Sequence, residues 1–438
     1  MGASQVLALG MGGVAAVGIL FALRWALRRE DDARLRRILV LGLGAKLVGA
    51  IARYTIMGDL YGGRGDFNRY VENGRRLAGV IRSGQLPEQA RETGTPFMDF
   101  LSGVLFAVAP AHVLVGFAVF SLLAYVGAYL FVQAAKLAAP GADLRRYAML
   151  VMFLPTMVFW PSSLGKEAWL VFGLGLATYG GARVLARQRF GYLVLVLGTL
   201  ATYQVRPHMG ALFGLAFAGA FLVRARDRSI KQSAAGFLIG LIIAGTGAVV
   251  LIMNFGDRLP KDESVEGSTT DQIFAETDRR TSQGGSGFES RPVRNPVDFV
   301  HAAITVPFRP FPTEAHNRQA QLTSLEGVFL LGLFAVSLPR LSSVPRRILK
   351  QPMVTLAAAY SIGFITAFSN VGNFGILTRQ RAQLLPFVAL LLVLPVEQGH
   401  RAPAAPSREN IRFRRQPSPA LVYLPPKGEQ QGGDEPAT

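Results

Sequence analysis

The chain has 438 residues, is 50% hydrophobic and only 17% charged, and its mean hydropathy of +0.31 excludes an ordinary soluble globule. Its net charge of +18 does not mark a nucleic-acid surface, because the arginines fall in short clusters between apolar runs and not on one soluble face. It has no cysteine, which excludes disulfides, thiolate catalysis and cysteine-based metal sites.

In chain order, the first apolar run, about 5–24, lacks a basic region before it and carries its positive charges after it. It reads as a transmembrane helix with an external N-terminus, not a cleaved signal. Further spans are predicted at about 37–57, 111–136, 147–161, 166–186, 190–205, 207–224, 233–254, 324–340, 353–370 and 380–397. The fourth and sixth are short, and Pro155 predicts a kink inside the fourth. Between the second and third spans, roughly 58–110 forms a long loop whose last part, FMDFLSGVLFAVAP (97–110), is too short to span. That part is expected to lie in the interface or to re-enter. A second long loop, about 255–323, is polar at first and then mixes aromatics, Pro and Arg as a membrane-surface segment does. From about 398 to 438 the chain is Pro-rich and polar, and is expected to be a disordered cytoplasmic extension.

Six basic segments (24–37, 136–146, 183–189, 224–231, 340–350 and the tail from Arg401) fall on one side under strict alternation. By the positive-inside rule that side is cytoplasmic. The predicted fold class is therefore all-α: a polytopic membrane bundle of about eleven spans over 1–397, N-out and C-in. The acidic run Glu30, Asp31 and Asp32 falls on the cytoplasmic side among arginines and reads as a solvated loop.

With this topology SSLGKE (162–167), YQVRPH (203–208) and SNVGNFGILTRQR (369–381) are all external. Three helices then begin on one face with Lys166, Arg206, and Arg379 with Arg381 at or near their first turns. Cations at a helix N-terminus oppose the macrodipole, and external placement runs against the positive-inside bias. Any one of these residues is as simply explained by snorkelling to lipid headgroups. All three turns together point to an anionic partner, and phosphate suits the arginine fork. Lys46 and Arg53 lie inside the second span, where an unpaired charge is costly, so they are expected to face the bundle interior. Candidate acids and bases on the external face are Asp66, Glu167, His208 and Glu314, and these residues alone do not choose among them. No His pair stands at ligand spacing, so neither a metal nor another cofactor is expected.

GDFNRY, FLPTMVFWPSSLGKE, YQVRPH, PFRPFPTEA and LTRQRAQLLPF together resemble the scattered motifs of polytopic bacterial polysaccharide polymerases of the Wzy and EpsG types. They also resemble the related C-superfamily membrane glycosyltransferases. The resemblance spans about 50–395 and implies a lipid-linked oligosaccharide substrate in the bacterial plasma membrane, with polyprenyl (pyro)phosphate as leaving group. It implies that Asp66 is the first-loop acid, and that Arg206, Arg379 and Arg381 grip phosphate. Lys166, Arg309, Lys46 and Arg53 are the further phosphate-binding candidates. The sequence has one aspartate where the C superfamily has an acidic pair, and its external loops are small, which favours the polymerase type. A transporter or flippase of lipid-linked saccharides and a scaffold subunit of an envelope-synthesis complex are the alternatives. Lys46 inside a span favours the transporter.

Overall fold

The computed structural model describes residues 27–28, 30–59, 63, 65–225, 287–315 and 318–396, and within these the regular structure is helical. The first predicted span, the eighth at about 233–254, much of the second long loop and the tail lie outside the described residues. Among the described residues fourteen α-helices follow one another, here α1 to α14. They are α1 Ala33–Asp59, α2 Asp66–Arg82, α3 Thr95–Val108, α4 Val113–Ala138, α5 Leu144–Phe153, α6 Pro155–Phe159 and α7 Lys166–Leu185. The rest are α8 Gly191–Val205, α9 Pro207–Ala225, α10 Pro296–Phe308, α11 Arg318–Leu341, α12 Val344–Ile348, α13 Pro352–Phe368 and α14 Phe374–Leu392.

Among the described residues four stretches are long and apolar enough to cross a bilayer: Val113–Ala138, Lys166–Leu185, Pro207–Arg224 and Ala320–Leu341. This is the make-up of a helical membrane protein. Large apolar side chains also remain exposed along α1 (Leu41, Val48, Ile51), α8 (Leu193, Val196, Leu197) and α11 (Leu325, Phe329, Val336). Such faces suit lipid and not water.

The predicted fourth span is a broken helix: α5 ends at Phe153 and α6 starts at Pro155, as the proline requires. The first long loop is largely helical. Its amphipathic α2 packs on α3, the segment predicted as interfacial or re-entrant. The last helix begins at Phe374, earlier than the predicted 380, because Asn373 caps it by accepting the Ile376 N–H at 3.1 Å. At the centre, α7 packs between α4 and α8. A Cβ on Gly175 would lie 2.2 Å from the Gly127 carbonyl oxygen, so α4 and α7 cross at backbone contact.

Helix ends gather in two groups. One group joins the starts of α1, α5 and α12 to the ends of α4, α11 and α14. Lys136 bonds Glu30 at 2.8 Å, Arg145 bonds Asp32 at 2.7 Å, Arg146 bonds the Ser337 hydroxyl at 2.9 Å, and Arg347 donates to the Pro395 carbonyl at 3.1 Å. The acidic run is thus not simply a solvated loop. Glu30 is buried against Lys136, and Asp32 accepts the Arg34 N–H as the cap of α1. The second group of ends holds the charged residues that follow.

Candidate functional site

At this second end a cavity of about 370 Å³ is lined by residues from five separate stretches of chain. The last third of α1 supplies Arg53, and α2 supplies Asp66 and Tyr70. The end of α6 supplies Phe159, the turn after it supplies Trp160 and Ser163, and the first turn of α7 supplies Lys166 and Glu167. Arg206 comes from the junction of α8 and α9, and Arg379 from the second turn of α14.

Local sequence explains these placements. Arg206 precedes Pro207, which keeps it out of the helical region, and its backbone is extended at φ −143° and ψ 91°. That break turns its side chain into the bundle, where Nη1 donates to the Gln380 side-chain carbonyl. Gly165 provides no side-chain cap to α7, whose first two residues, Lys166 and Glu167, line the same space as the cations.

Glu167 is the buried centre of the cluster. Arg379 Nε lies 3.1 Å from Glu167 Oε1 and Arg206 Nη2 lies 3.6 Å from the same oxygen. Arg379 also reaches Asp66, Nη1 to Oδ2 at 3.6 Å. The two carboxylates differ sharply, the Asp66 side chain being 74% exposed and that of Glu167 only 8%. Adjacent residues on a helix diverge by about 100°, and Lys166 duly turns away from Glu167 to donate to the Thr95 hydroxyl at 2.8 Å. Arg53 donates from Nε to Ser163 Oγ at 2.9 Å, and its guanidinium lies 4.8 Å and 4.6 Å from the Phe159 and Trp160 ring centres. Burial, reinforced by Asp66 and Glu167, raises the Tyr70 hydroxyl well above its usual value, so it stays protonated. Four cations thus face two carboxylates, and the excess positive charge is suited to an anion.

Six of the eleven candidate residues meet here: Arg53, Asp66, Lys166, Glu167, Arg206 and Arg379. Five do not. His208, on the first turn of α9, does not line the cavity. Lys46 lies deeper, fully buried, with its amine donating to the Met157 carbonyl. Arg381 is two residues beyond Arg379, so it leaves the helix about 200° away. It is buried, donates to the Arg309 carbonyl and lies 3.9 Å from Glu326. Arg309 pairs with Glu314 at 3.0 Å and lies 4.8 Å from the Phe288 ring centre. These two arginines belong to a separate cluster. Sequence reasoning missed Tyr70, Gln380 and the buried Glu326, although a lone carboxylate inside the predicted span 324–340 was a legible signal.

A second, larger space of about 1160 Å³ adjoins this one. It is an apolar groove between α1, α5, α6 and α11, and it shares Phe159 and Trp160 with the charged cavity. On α1 it meets Ile38 and Leu41 toward one end and Ile56 toward the other, and Ile38 and Ile56 are about 27 Å of helix apart at about 1.5 Å per residue, against the ~30 Å of a bilayer's hydrocarbon core. Among the described residues no three His, Asp or Glu side chains converge on a metal-sized point. No protein-family model matches the chain, and neither curated proteins nor solved structures show similarity to it.

Proposed function

We propose that this protein transfers glycosyl groups from a lipid-linked saccharide, with polyprenyl phosphate or pyrophosphate as the leaving group, on the extracytoplasmic side of a bacterial plasma membrane. The observation that carries this reading is the pairing of a cation-rich cavity with an apolar groove through the shared rings of Phe159 and Trp160. An amphiphile with an anionic head and a long hydrocarbon tail matches both at once. The motif resemblance supplies the saccharide.

In this reading Arg206, Arg379, Lys166 and Arg53 neutralise charge on the departing phosphate oxygens, the role that electrostatic preorganisation plays in group transfer. The C1–O bond to phosphate breaks as the acceptor hydroxyl oxygen bonds to C1, and a carboxylate takes the hydroxyl proton. Asp66 is the better base, since it is exposed at the rim and held by one arginine. Glu167, buried between two arginines, is better suited to aligning them.

A flippase is the alternative reading, and Lys46, the residue within a span that favours it, is bonded to a backbone carbonyl. Incubating the purified full chain in nanodiscs with a pool of polyprenyl-pyrophosphate-linked oligosaccharides separates the two. Elongated product is expected with wild type and at least tenfold less with Asp66→Asn. Movement of unchanged donor between leaflets without elongation would favour the flippase.

A further inference from the structure

The wall shared by groove and cavity is built on an irregular piece of chain, Leu154–Gly165, with a proline near each end of its one helical turn. Pro155 ends α5, so the Thr156 N–H, at the start of α6, has no carbonyl one turn back. Pro161 stands four residues after Met157 and has no N–H, so the Met157 carbonyl has no chain donor one turn ahead. Both groups are buried, and each is satisfied by a charged-type side chain from a different helix. Glu326 of α11 accepts the Thr156 N–H on Oε1 at 2.8 Å and the Thr156 hydroxyl on Oε2. Lys46 of α1 donates to the Met157 carbonyl. An acceptor thus sits at the N-terminal end of the α6 turn and a donor toward its C-terminal end, matching the polarity of the helix. Lys46 is fully buried and Glu326 is 6% exposed, so neither bond is replaced by water.

The same stretch continues directly into the site. Phe159 and Trp160 flank the Arg53 guanidinium, Ser163 accepts from Arg53, and the helix carrying Lys166 and Glu167 follows. The Lys46 backbone carbonyl accepts from Ser121 Oγ at 2.7 Å, and Ser121 in turn meets Ser162 Oγ at 3.3 Å. We propose that Lys46 and Glu326 are positioning residues: they replace the backbone partners lost to the two prolines and so hold the Phe159–Trp160 wall where groove and cavity meet. Their effect on transfer rests on the function proposed above. Their effect on the wall does not.

The chain has three tryptophans, so fluorotryptophan labelling of the full protein gives three fluorine resonances, that of Trp160 being assigned by its loss in Trp160→Phe. Trp169, whose indole N–H is held by the Ala201 carbonyl at 2.7 Å, serves as the internal control. Lys46→Met is expected to shift or split the Trp160 resonance by more than its linewidth while leaving Trp169 in place. Glu326→Leu is expected to do the same, whereas Glu326→Gln, which keeps an acceptor, is expected to stay near wild type. The decisive variant is Lys46→Met with Pro161→Ala, because alanine returns an N–H to the Met157 carbonyl. It is expected to restore the wild-type Trp160 resonance. If Lys46→Met does not fold, recovery of folded protein by the added Pro161→Ala reads the same bond, and no recovery overturns the proposal. An unmoved Trp160 resonance in Lys46→Met also overturns it. In the transfer assay Lys46→Met is expected to raise KM for the lipid donor about tenfold with kcat changed less, and the double variant to return it. Wild type that transfers nothing while the resonances behave as expected would reject the function and leave the positioning role standing.

Discussion

At the residue scale, the site turns on one buried carboxylate between two guanidinium groups. Glu167 meets Arg379 at 3.1 Å and Arg206 at 3.6 Å. Removing one member of such a buried set leaves uncompensated charge, at a cost of about 3–5 kcal/mol where burial is complete and less beside a cavity. Glu167→Gln is therefore expected to keep the fold but misalign both arginines, lowering turnover at least tenfold. Arg379→Lys is expected to fail similarly, because an ammonium cannot reach Glu167 and Asp66 with separate nitrogens. Donor affinity and turnover measured separately on folded protein check both. Turnover within twofold of wild type in Arg379→Lys would point to a lipid-facing arginine. The gathering of Lys166, Arg206 and Arg379 was legible because each stands at a helix start with an external assignment. The fate of Lys46 was not, since a buried amine bonded to a carbonyl and one bonded to phosphate have the same sequence signature. Only the position of Pro161 relative to Met157 hints at the former.

At the element scale, hydropathy located long helices well and misjudged those with polar turns inside. The helix α14 carries Thr378, Arg379, Gln380, Arg381 and Gln383 near its start, of which Arg381, Gln380 and Gln383 are almost fully buried. A hydropathy window opens the span at 380, among these polar residues, whereas buried partners let the helix start at Phe374. The reading of Glu30–Asp32 failed for a related reason: the partners, Lys136 and Arg145, lie more than a hundred residues away. That pairing gives a pH signature. The Arg145 hydrogen bond lowers Asp32 from the ordinary 3.8 to about 2. A carboxylate depressed in the folded state adds stability above its unfolded value, and loses it as pH falls through the folded one. Wild type is expected to be more heat-stable than Asp32→Asn at about pH 5, and the two to converge by about pH 2. Thermal midpoints across that range check this, and a constant gap would show that the bond between α1 and α5 does not depend on the Asp32 charge.

At the scale of the whole molecule, charged side chains from helix ends gather in two places. Arg53, Asp66, Glu167, Arg206 and Arg379 gather at one end, and Glu30, Lys136, Arg145 and Arg347 at the other. The groove between α1, α5 and α11 was not legible, because an apolar side chain facing a groove and one facing lipid are identical in sequence. Absence of native cysteine makes sidedness direct to measure. Single cysteines at positions 66 and 289 are expected to react with an impermeant thiol reagent from outside, and those at 142 and 345 only after permeabilisation. Reaction of positions 66 and 142 from the same side would reject the topology and the extracytoplasmic site with it. The central claim is that one phosphate-headed lipid occupies cavity and groove together. Its most direct test is photo-crosslinking of the full chain in nanodiscs with a polyprenyl phosphate bearing a diazirine in its tail. Cross-links are expected in the peptides spanning 146–160 and 322–333, with at least tenfold loss in Arg206→Ala and Arg379→Ala and with the neutral polyprenol. Equal cross-linking by polyprenol and by polyprenyl phosphate, or yields unchanged in the two arginine variants, would contradict the account.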